Sequence, residues 1–451
     1  MKNKITLLFV LLNIGNIVSY GQKNNVLSKT KSQIKLTEAK QFCYQGNIKT
    51  ALLSFKEIIA LNPLNSKAQF GAASCYYKLK DYKNAQYHAE ISLENDPKAD
   101  DELHYLLAEI YFREAQYEKA INHYERYQGI GTKLKLKENQ IELKLKQINY
   151  SKNATKDENS PISITNMGRK LNSKGPEYAP SISNDGKYLM FTSRRPDTKG
   201  GNVDQYFDHQ YFSDIYLSKW DSTTSSWSSP SNKLGKINTD YYDASLSFKP
   251  DNSIIIYRNI LDVTKSGDIY EASYNKNDSW NSPKPILYKN KEVSNKINSS
   301  YFESSASITK DESYIYFVSE RASGLGKTDI YYVKKKGKTY SDPIHLGDEI
   351  NTNGDEKCVF IHPSGEILFF TSNGREDSFG SYDIYYCTGG PESWSKPKNL
   401  GYPINTTLEE KTINVSSDGN TAYVGGYYKI NNQGDADLYK IDISSLELLT
   451  K

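Results

Sequence analysis

The sequence predicts a multidomain α + β protein: an N-terminal all-α array of helical repeats, then an all-β five-bladed propeller. Three observations predict it. Apolar residues at helical spacing repeat every 34–35 residues between Ile34 and Arg126. The tripeptide Asp-(Ile/Leu)-Tyr occurs five times, at Asp214, Asp268, Asp329, Asp383 and Asp437, separated by 54, 61, 54 and 54 residues. A polar stretch without periodicity, Asn149–Ser160, lies between the two patterns and reads as a linker.

The chain opens like an export signal. Lys2 and Lys4 precede an apolar run from Ile5 to Val18, and Ser19-Tyr20-Gly21 places small residues where a signal peptidase reads, so cleavage is expected before Gln22. The run is short for a membrane span. No cysteine follows it, so no lipid anchor is expected, and no later stretch is apolar enough to span. Loss of two lysines and no acid lowers the formal charge from +3 to +1. A nearly neutral chain argues against nucleic acid as a partner.

In the helical region, Ala51, Ala85 and Ala120 each close a turn signature. An aromatic (Phe42, Tyr76, Tyr111) precedes each by nine residues, and Ala39, Ala73 and Ala108 lie three before those. Pro63 and Pro97 stop the first two units, while Gln128-Gly129-Ile130-Gly131 ends the third. This pattern resembles three tetratricopeptide repeats. The resemblance implies a concave groove for a peptide or helix, with groove positions on Leu36, Lys40, Tyr44, Phe70, Tyr77, Tyr105, Glu109, Phe112 and Arg113. The alternative is that these aromatics pack between helices. A lysine-rich amphipathic helix with Leu134, Ile141, Leu145 and Ile148 on one side reads as a solvating cap. The expected domains are a signal peptide (1–21), the repeat domain with its cap (22–148), the linker (149–160) and the propeller (161–451).

Each Asp-(Ile/Leu)-Tyr unit carries the signals of a four-stranded sheet. In blade 1 these are Pro180–Ser183, a turn at Asn184-Asp185-Gly186-Lys187, Tyr188–Ser193, Asp214–Lys219, and a fourth strand after Trp227. Such a sheet buries both faces only when several surround an axis. The outer-strand signal is missing after blade 5. A segment like Leu346-Gly347 with Ile350-Asn351-Thr352 follows the other fourth strands, and its match, Met167-Gly168 with Leu171-Asn172-Ser173, stands before blade 1. Ile162–Gly168 is therefore expected to supply the outer strand of blade 5 and close the ring, which hides its edges. The Ser181–Lys187 stretch, the Phe191-Thr192-Ser193 strand end and the Asp-Ile-Tyr copies resemble TolB-like, WD40-like propeller repeats. The whole order is similar to the front half of Bacteroidetes envelope proteins associated with type IX secretion and gliding. Those proteins typically continue into an OmpA-like domain. This chain stops at Lys451, so direct peptidoglycan binding is not expected.

An acidic residue precedes the first strand of every blade: Glu177, Asp243, Glu303, Glu356 and Glu410. Arg194, Arg258, Arg321 and Arg375 follow four of the second strands. The preferred reading is a repeated cross-strand ion pair. The other is a ring of carboxylates at the channel mouth, able to hold a cation or a basic peptide. The repeated Asp of Asp-Ile-Tyr reads as a loop cap. Asn431, Gln433, Asp435 and Asp437 lack the distal acid of a calcium loop. No catalytic motif stands out, so no catalytic residue, cofactor or metal is expected. Cys43 and Cys75 fall on helices. Cys358 and Cys387 fall on the first and third strands of one sheet, with a strand between them, too far for a disulfide, and read as buried thiols. The blade 1 insertion Pro196–Ser213 carries Tyr206, Phe207, Tyr211 and Phe212, which either meet a partner or fold back over the blade. The function expected is a non-enzymatic scaffold binding an envelope or outer-membrane protein. The alternatives are a glycan-binding propeller using tyrosines as stacking platforms and a hydrolase or lyase at the channel mouth.

Overall fold

The computed structural model describes residues 30–154, 160–260, 266–275 and 277–448. The expected signal segment and residues 155–159 of the expected linker lie outside the described residues. Contacts divide the chain into two compact units. The first holds the described residues up to Tyr111, with Asn122–Gly131 and Gln205–His209. The second holds Phe112–Ile121, Thr132–Asp204 and the described residues from Gln210 onward.

Helix α1 covers residues 30–44. It is followed by α2 (Ile48–Leu61), α3 (Ser66–Lys78), α4 (Tyr82–Asn95), α5 (Leu103–Arg113) and α6 (Tyr117–Ile130). Short polar side chains start three of them. Asn47, Asn65 and Asp81 accept the backbone N–H of Thr50, Ala68 and Asn84 at 3.3, 3.0 and 3.1 Å, groups the helix cannot satisfy itself. The six alanines of the period are fully buried, because a larger side chain there would hold paired helices apart. Gly71 does the same for one contact: a Cβ on it would stand 2.4 Å from the Phe55 ring.

The single cap helix expected after the repeats is two helices, α7 (Lys133–Glu138) and α8 (Ile141–Asn153). The chain turns between them at Gln140, where φ is 49°. Leu134 is exposed while Ile141 and Ile148 are buried. Helix α8 is not purely a solvated cap. In the second unit its Gln147 amide donates to the carbonyls of Asn373 and Arg375 at 3.1 and 2.9 Å, and its Tyr150 ring meets Phe379 edge-on at 5.3 Å.

The β region is a five-bladed propeller. Blade 1 pairs Glu177–Ile182, Tyr188–Ser193, Asp214–Asp221 and Ser226–Trp227 in sequence order, all antiparallel. The inner strands of blades 2 to 5 are Tyr242–Phe248, Glu303–Ile308, Glu356–Ile361 and Glu409–Val415. Ser163–Asn166 pairs with Asp437–Asp442 as the outer strand of blade 5, with Ile164 opposite Ile441. The ring is closed by the segment the sequence singled out. Between blades 2 and 3 stands α9 (Lys291–Ile297), capped by Asn290. It accounts for the one 61-residue spacing among four, since the helix is seven residues long.

One repeated segment wires blade to blade. Asn238, Asn298, Asn351, Asn405 and Asn172 each place a side-chain amide against the residue after the repeated Asp. Asn351, for example, accepts the Ile330 N–H at 2.7 Å and donates to the Ile330 carbonyl at 3.0 Å. The amide thus imitates one residue of a neighbouring strand. Five residues further on, the acidic residue gives its own N–H to the previous blade: Asp243 to Ser213, Glu303 to Gly267, Glu356 to Thr328, Glu410 to Tyr382, and Glu177 to Ala436 across the closure, at 2.7–3.0 Å.

Candidate binding surfaces

The five acids do not form an open ring. Glu177, Asp243, Glu303, Glu356 and Glu410 sit within the inner strands or at their first residues, and all are fully buried. Each carboxylate turns back to a Ser or Thr four residues earlier. Glu177 accepts the Ser173 N–H and hydroxyl at 2.8 and 2.6 Å, and Glu410 accepts those of Thr406 at 3.1 and 2.7 Å. Carboxylates satisfied this way cannot reach a cation in the channel. The arginines correct the pairing as well. Arg195, not Arg194, meets Glu177 at 3.1 Å; Arg258 meets Asp243 at 2.7 Å and Arg321 meets Glu303 at 3.3 Å. Arg194 donates to the Tyr211 carbonyl, and Arg375 to the carbonyls of Glu349 and Ile350.

The repeated Asp is a loop cap in four blades. Asp214, Asp329, Asp383 and Asp437 accept a backbone N–H from the loop before them, at 2.6, 3.2, 2.7 and 2.7 Å. Burial pushes Asp214 and Asp437 up to about 6, and Asp383 up to about 7. Their Oδ1 atoms are buried without a hydrogen-bond partner among the described residues.

The groove positions separate into three groups. Lys40 and Tyr44 are exposed, Tyr44 at 88%. Phe70, Tyr77 and Tyr105 are half-buried. Leu36, Glu109, Phe112 and Arg113 are buried and do not face outward as expected. Leu36 packs with Phe55 and Ile58 in the core of the first repeat. Glu109 accepts hydrogen bonds from the hydroxyls of Tyr77, at 2.8 Å, and Tyr124. Phe112 packs edge-on against Tyr117, and Arg113 donates to the Thr407 carbonyl at 3.0 Å. A buried carboxylate or guanidinium needs such partners, so these residues hold the fold.

The propeller channel supplies a surface that no sequence motif announced. Inner strands of all five blades line a cavity of about 290 Å³. Its lining includes Tyr178, Leu246, Phe302, Lys357, Tyr382 and Lys411. Lys411 pairs with Glu409 at 2.8 Å, and the Tyr382 hydroxyl donates to Asp355 at 3.1 Å. The inner strand of every blade carries a bulge, which re-aims side chains at a rim. The residue after each acid is Tyr178, Ala244, Ser304, Lys357 and Lys411 in blade order, so the five-fold pattern of the scaffold does not predict the lining. The opposite end, lined by Ile182, Phe248, Ile308, Phe360 and Val415 among others, narrows to about 30 Å³. Among the described residues no three His, Cys, Asp or Glu could share a metal ion, and no helix is long and apolar enough to cross a membrane.

The blade 1 insertion is folded back at one end and exposed in its middle. Phe212 is buried against Tyr241 and Tyr242, whereas Tyr206 and Phe207 are 95% and 71% exposed.

Residues 36–100 match the tetratricopeptide-repeat family. No curated protein matches the chain. Among solved structures, the Yersinia enterocolitica type III secretion chaperone SycD, in complex with a peptide of the translocator YopD, is 19% identical. The match covers 27% of this chain and 93% of SycD, with a TM-score of 0.24. The periplasmic gluconolactonase PpgL of Pseudomonas aeruginosa is 10% identical over 55% of this chain and 64% of its own, at 0.32. The α-L-arabinofuranosidase PaAbf62A of Podospora anserina, in complex with cellotriose, is 12% identical over 64% and 93%, at 0.35. Likenesses this low carry no functional argument. Helices that match the tetratricopeptide-repeat family over residues 36–100 are followed by a propeller, an architecture that suggests a protein-interaction scaffold.

Proposed function

We propose that this chain is an exported, non-enzymatic scaffold of the periplasm, peripheral to the outer membrane, that binds an envelope or outer-membrane protein. Type IX secretion and gliding are the processes to test first. The observation that carries the reading is the exposure of Tyr44 and Lys40 on the repeat array, at positions that the repeat resemblance assigns to a groove, with Phe70, Tyr77 and Tyr105 half-buried. Aromatic side chains with polar tips are the usual anchors of protein interfaces. The channel mouth offers aromatic faces and lysine–carboxylate pairs, a surface suited to holding a ligand. Capture from envelope extracts with the full mature chain tests the reading. A stoichiometric protein partner, lost on Tyr44→Ala with Phe70→Ala, supports it. Saturable sugar binding without a protein partner replaces it with a glycan-binding propeller, and Tyr178→Ala then abolishes the binding.

A further inference from the structure

Cys43 on α1 and Cys75 on α3 belong to adjacent repeats, and their sulfurs lie 3.7 Å apart. The sequence placed both on helices without bringing them together, because they sit at different positions of their repeats. Cys43 follows its repeat's aromatic, Phe42, and Cys75 precedes its own, Tyr76. Only the packing of α1 against α3 makes them neighbours. Both are free thiols, Cys43 partly accessible and Cys75 fully buried.

We propose that Cys43 and Cys75 are a redox-responsive pair that closes reversibly into a disulfide, stapling the first helices of the first two repeats. The two thiols are not equivalent. The hydrogen bond from Cys75, with Lys78 and Lys40 nearby, lowers Cys43 to about 7, against the opposing effect of burial. Cys75 is pushed up by that same bond and by burial. A partly exposed thiol of low pKa is the one that reacts first. Cys358 and Cys387 make the contrast within the same chain. Burial raises them to about 11 and about 12, and they share no thiol contact among the described residues.

The oxidant is a small or protein disulfide. The Cys43 thiolate attacks one of its sulfurs, that S–S bond breaks, and the departing thiolate takes up a proton. Cys75 then loses its proton and attacks the Cys43 sulfur of the mixed disulfide, releasing the second thiol. Two protein thiols are oxidised, one external disulfide is reduced to two thiols, and both protons end on the released thiols. Bond formation needs the sulfurs to close to about 2.05 Å, a shift within the reach of side-chain rotation and small helix adjustment.

The test uses the full chain and oxidised glutathione. After incubation the intact protein is expected to be lighter by two hydrogens than its reduced form; alkylation in denaturant should then add two alkyl groups, at Cys358 and Cys387, and digestion should yield one linked peptide joining Cys43 to Cys75. A dithiol reductant should restore four alkylatable thiols. In Cys75→Ser the reaction should stop one step earlier, leaving a glutathionyl group on Cys43. Wild-type protein that keeps Cys43 and Cys75 alkylatable, or that keeps a stable glutathionyl adduct without closing, overturns the proposal. So does a linked peptide joining two chains. Because the wild-type chain alone decides among these, poor folding of the serine variant would not rescue it.

Discussion

The side-chain amide of Asn172 and the backbone of Leu438 exchange two hydrogen bonds, 2.8 and 3.1 Å long, across 266 residues of chain. The same exchange joins Asn238 to Ile215, Asn298 to Ile269, Asn351 to Ile330 and Asn405 to Ile384. In every blade an asparagine therefore completes the third strand, and at the closure that asparagine stands before blade 1 and serves blade 5.

Replacing Asn351 by Ala should leave the Ile330 N–H buried and unpaired, while the Ile330 carbonyl keeps the Leu346 N–H at 3.1 Å. Such a group costs about 1–3 kcal/mol, and a loss of that size is expected in urea unfolding followed by the β signal. Asn351→Asp should be no milder, because it sets an oxygen against the Ile330 carbonyl. A change under about 0.5 kcal/mol in either variant would contradict the role given to the amide.

Deleting residues 162–168 should open the edge of blade 5. Ile162 and Ile164 pack on the blade 4–5 core beside Ile441 and Tyr439, so apolar contact and strand pairing are lost together. Aggregation is expected, visible by light scattering at concentrations where the intact chain is monodisperse. Unchanged scattering and melting would remove the closure.

Stability should rise as pH falls from 8 to 5. Burial raises Asp214, Asp268 and Asp437 to about 6 and Asp383 and Glu356 to about 7 in the folded chain, against an unfolded value near about 4. The native state then binds more protons than the unfolded state between those values. Its contribution is complete below the unfolded pKa and is lost as pH rises through the folded one. Below about pH 4 the trend should reverse at the turn acids Asp311 and Asp418, which hydrogen bonds from Ser313 and Ser416 hold below the ordinary range. Melting curves across pH check the sign, and Asp383→Asn should flatten the upper part of the profile.

Phe112→Ala should cost about 3–5 kcal/mol of stability, as a fully buried aromatic does. Tyr44→Ala, 88% exposed, should change stability by less than about 0.5 kcal/mol while weakening partner capture. A large loss of melting temperature in Tyr44→Ala would end its use as a groove residue.

A chain starting at Ser160 should be less stable than one starting at Thr132. The longer fragment keeps Tyr150 on Phe379 and the Gln147 bonds to Asn373 and Arg375. Equal denaturation midpoints would mean that α8 adds nothing to the propeller.

The periodic features were legible because they are repeated locally in the chain. Alanines at 34–35-residue intervals, Asp-Ile-Tyr at 54, and the unowned outer-strand segment before blade 1 determined helical repeats, five blades and the way the ring closes. Even the place of α9 was present, as seven extra residues in one spacing. Burial was not legible, because it depends on what lies opposite. The acids of the five blades look like a mouth ring in sequence, but the strand begins at or before each of them and their own loops supply the hydroxyls that enclose them. Glu109, Phe112 and Arg113 carry groove positions of a repeat, yet Tyr77, Tyr124, Tyr117 and Thr407, brought in from separate segments, cover or bind them. Cys43 and Cys75 gave no sequence signal at all, since a thiol pair needs two helices to meet at the right height. Local periodicity sets which elements form; only packing between elements distant in the chain decides which polar groups are left to act.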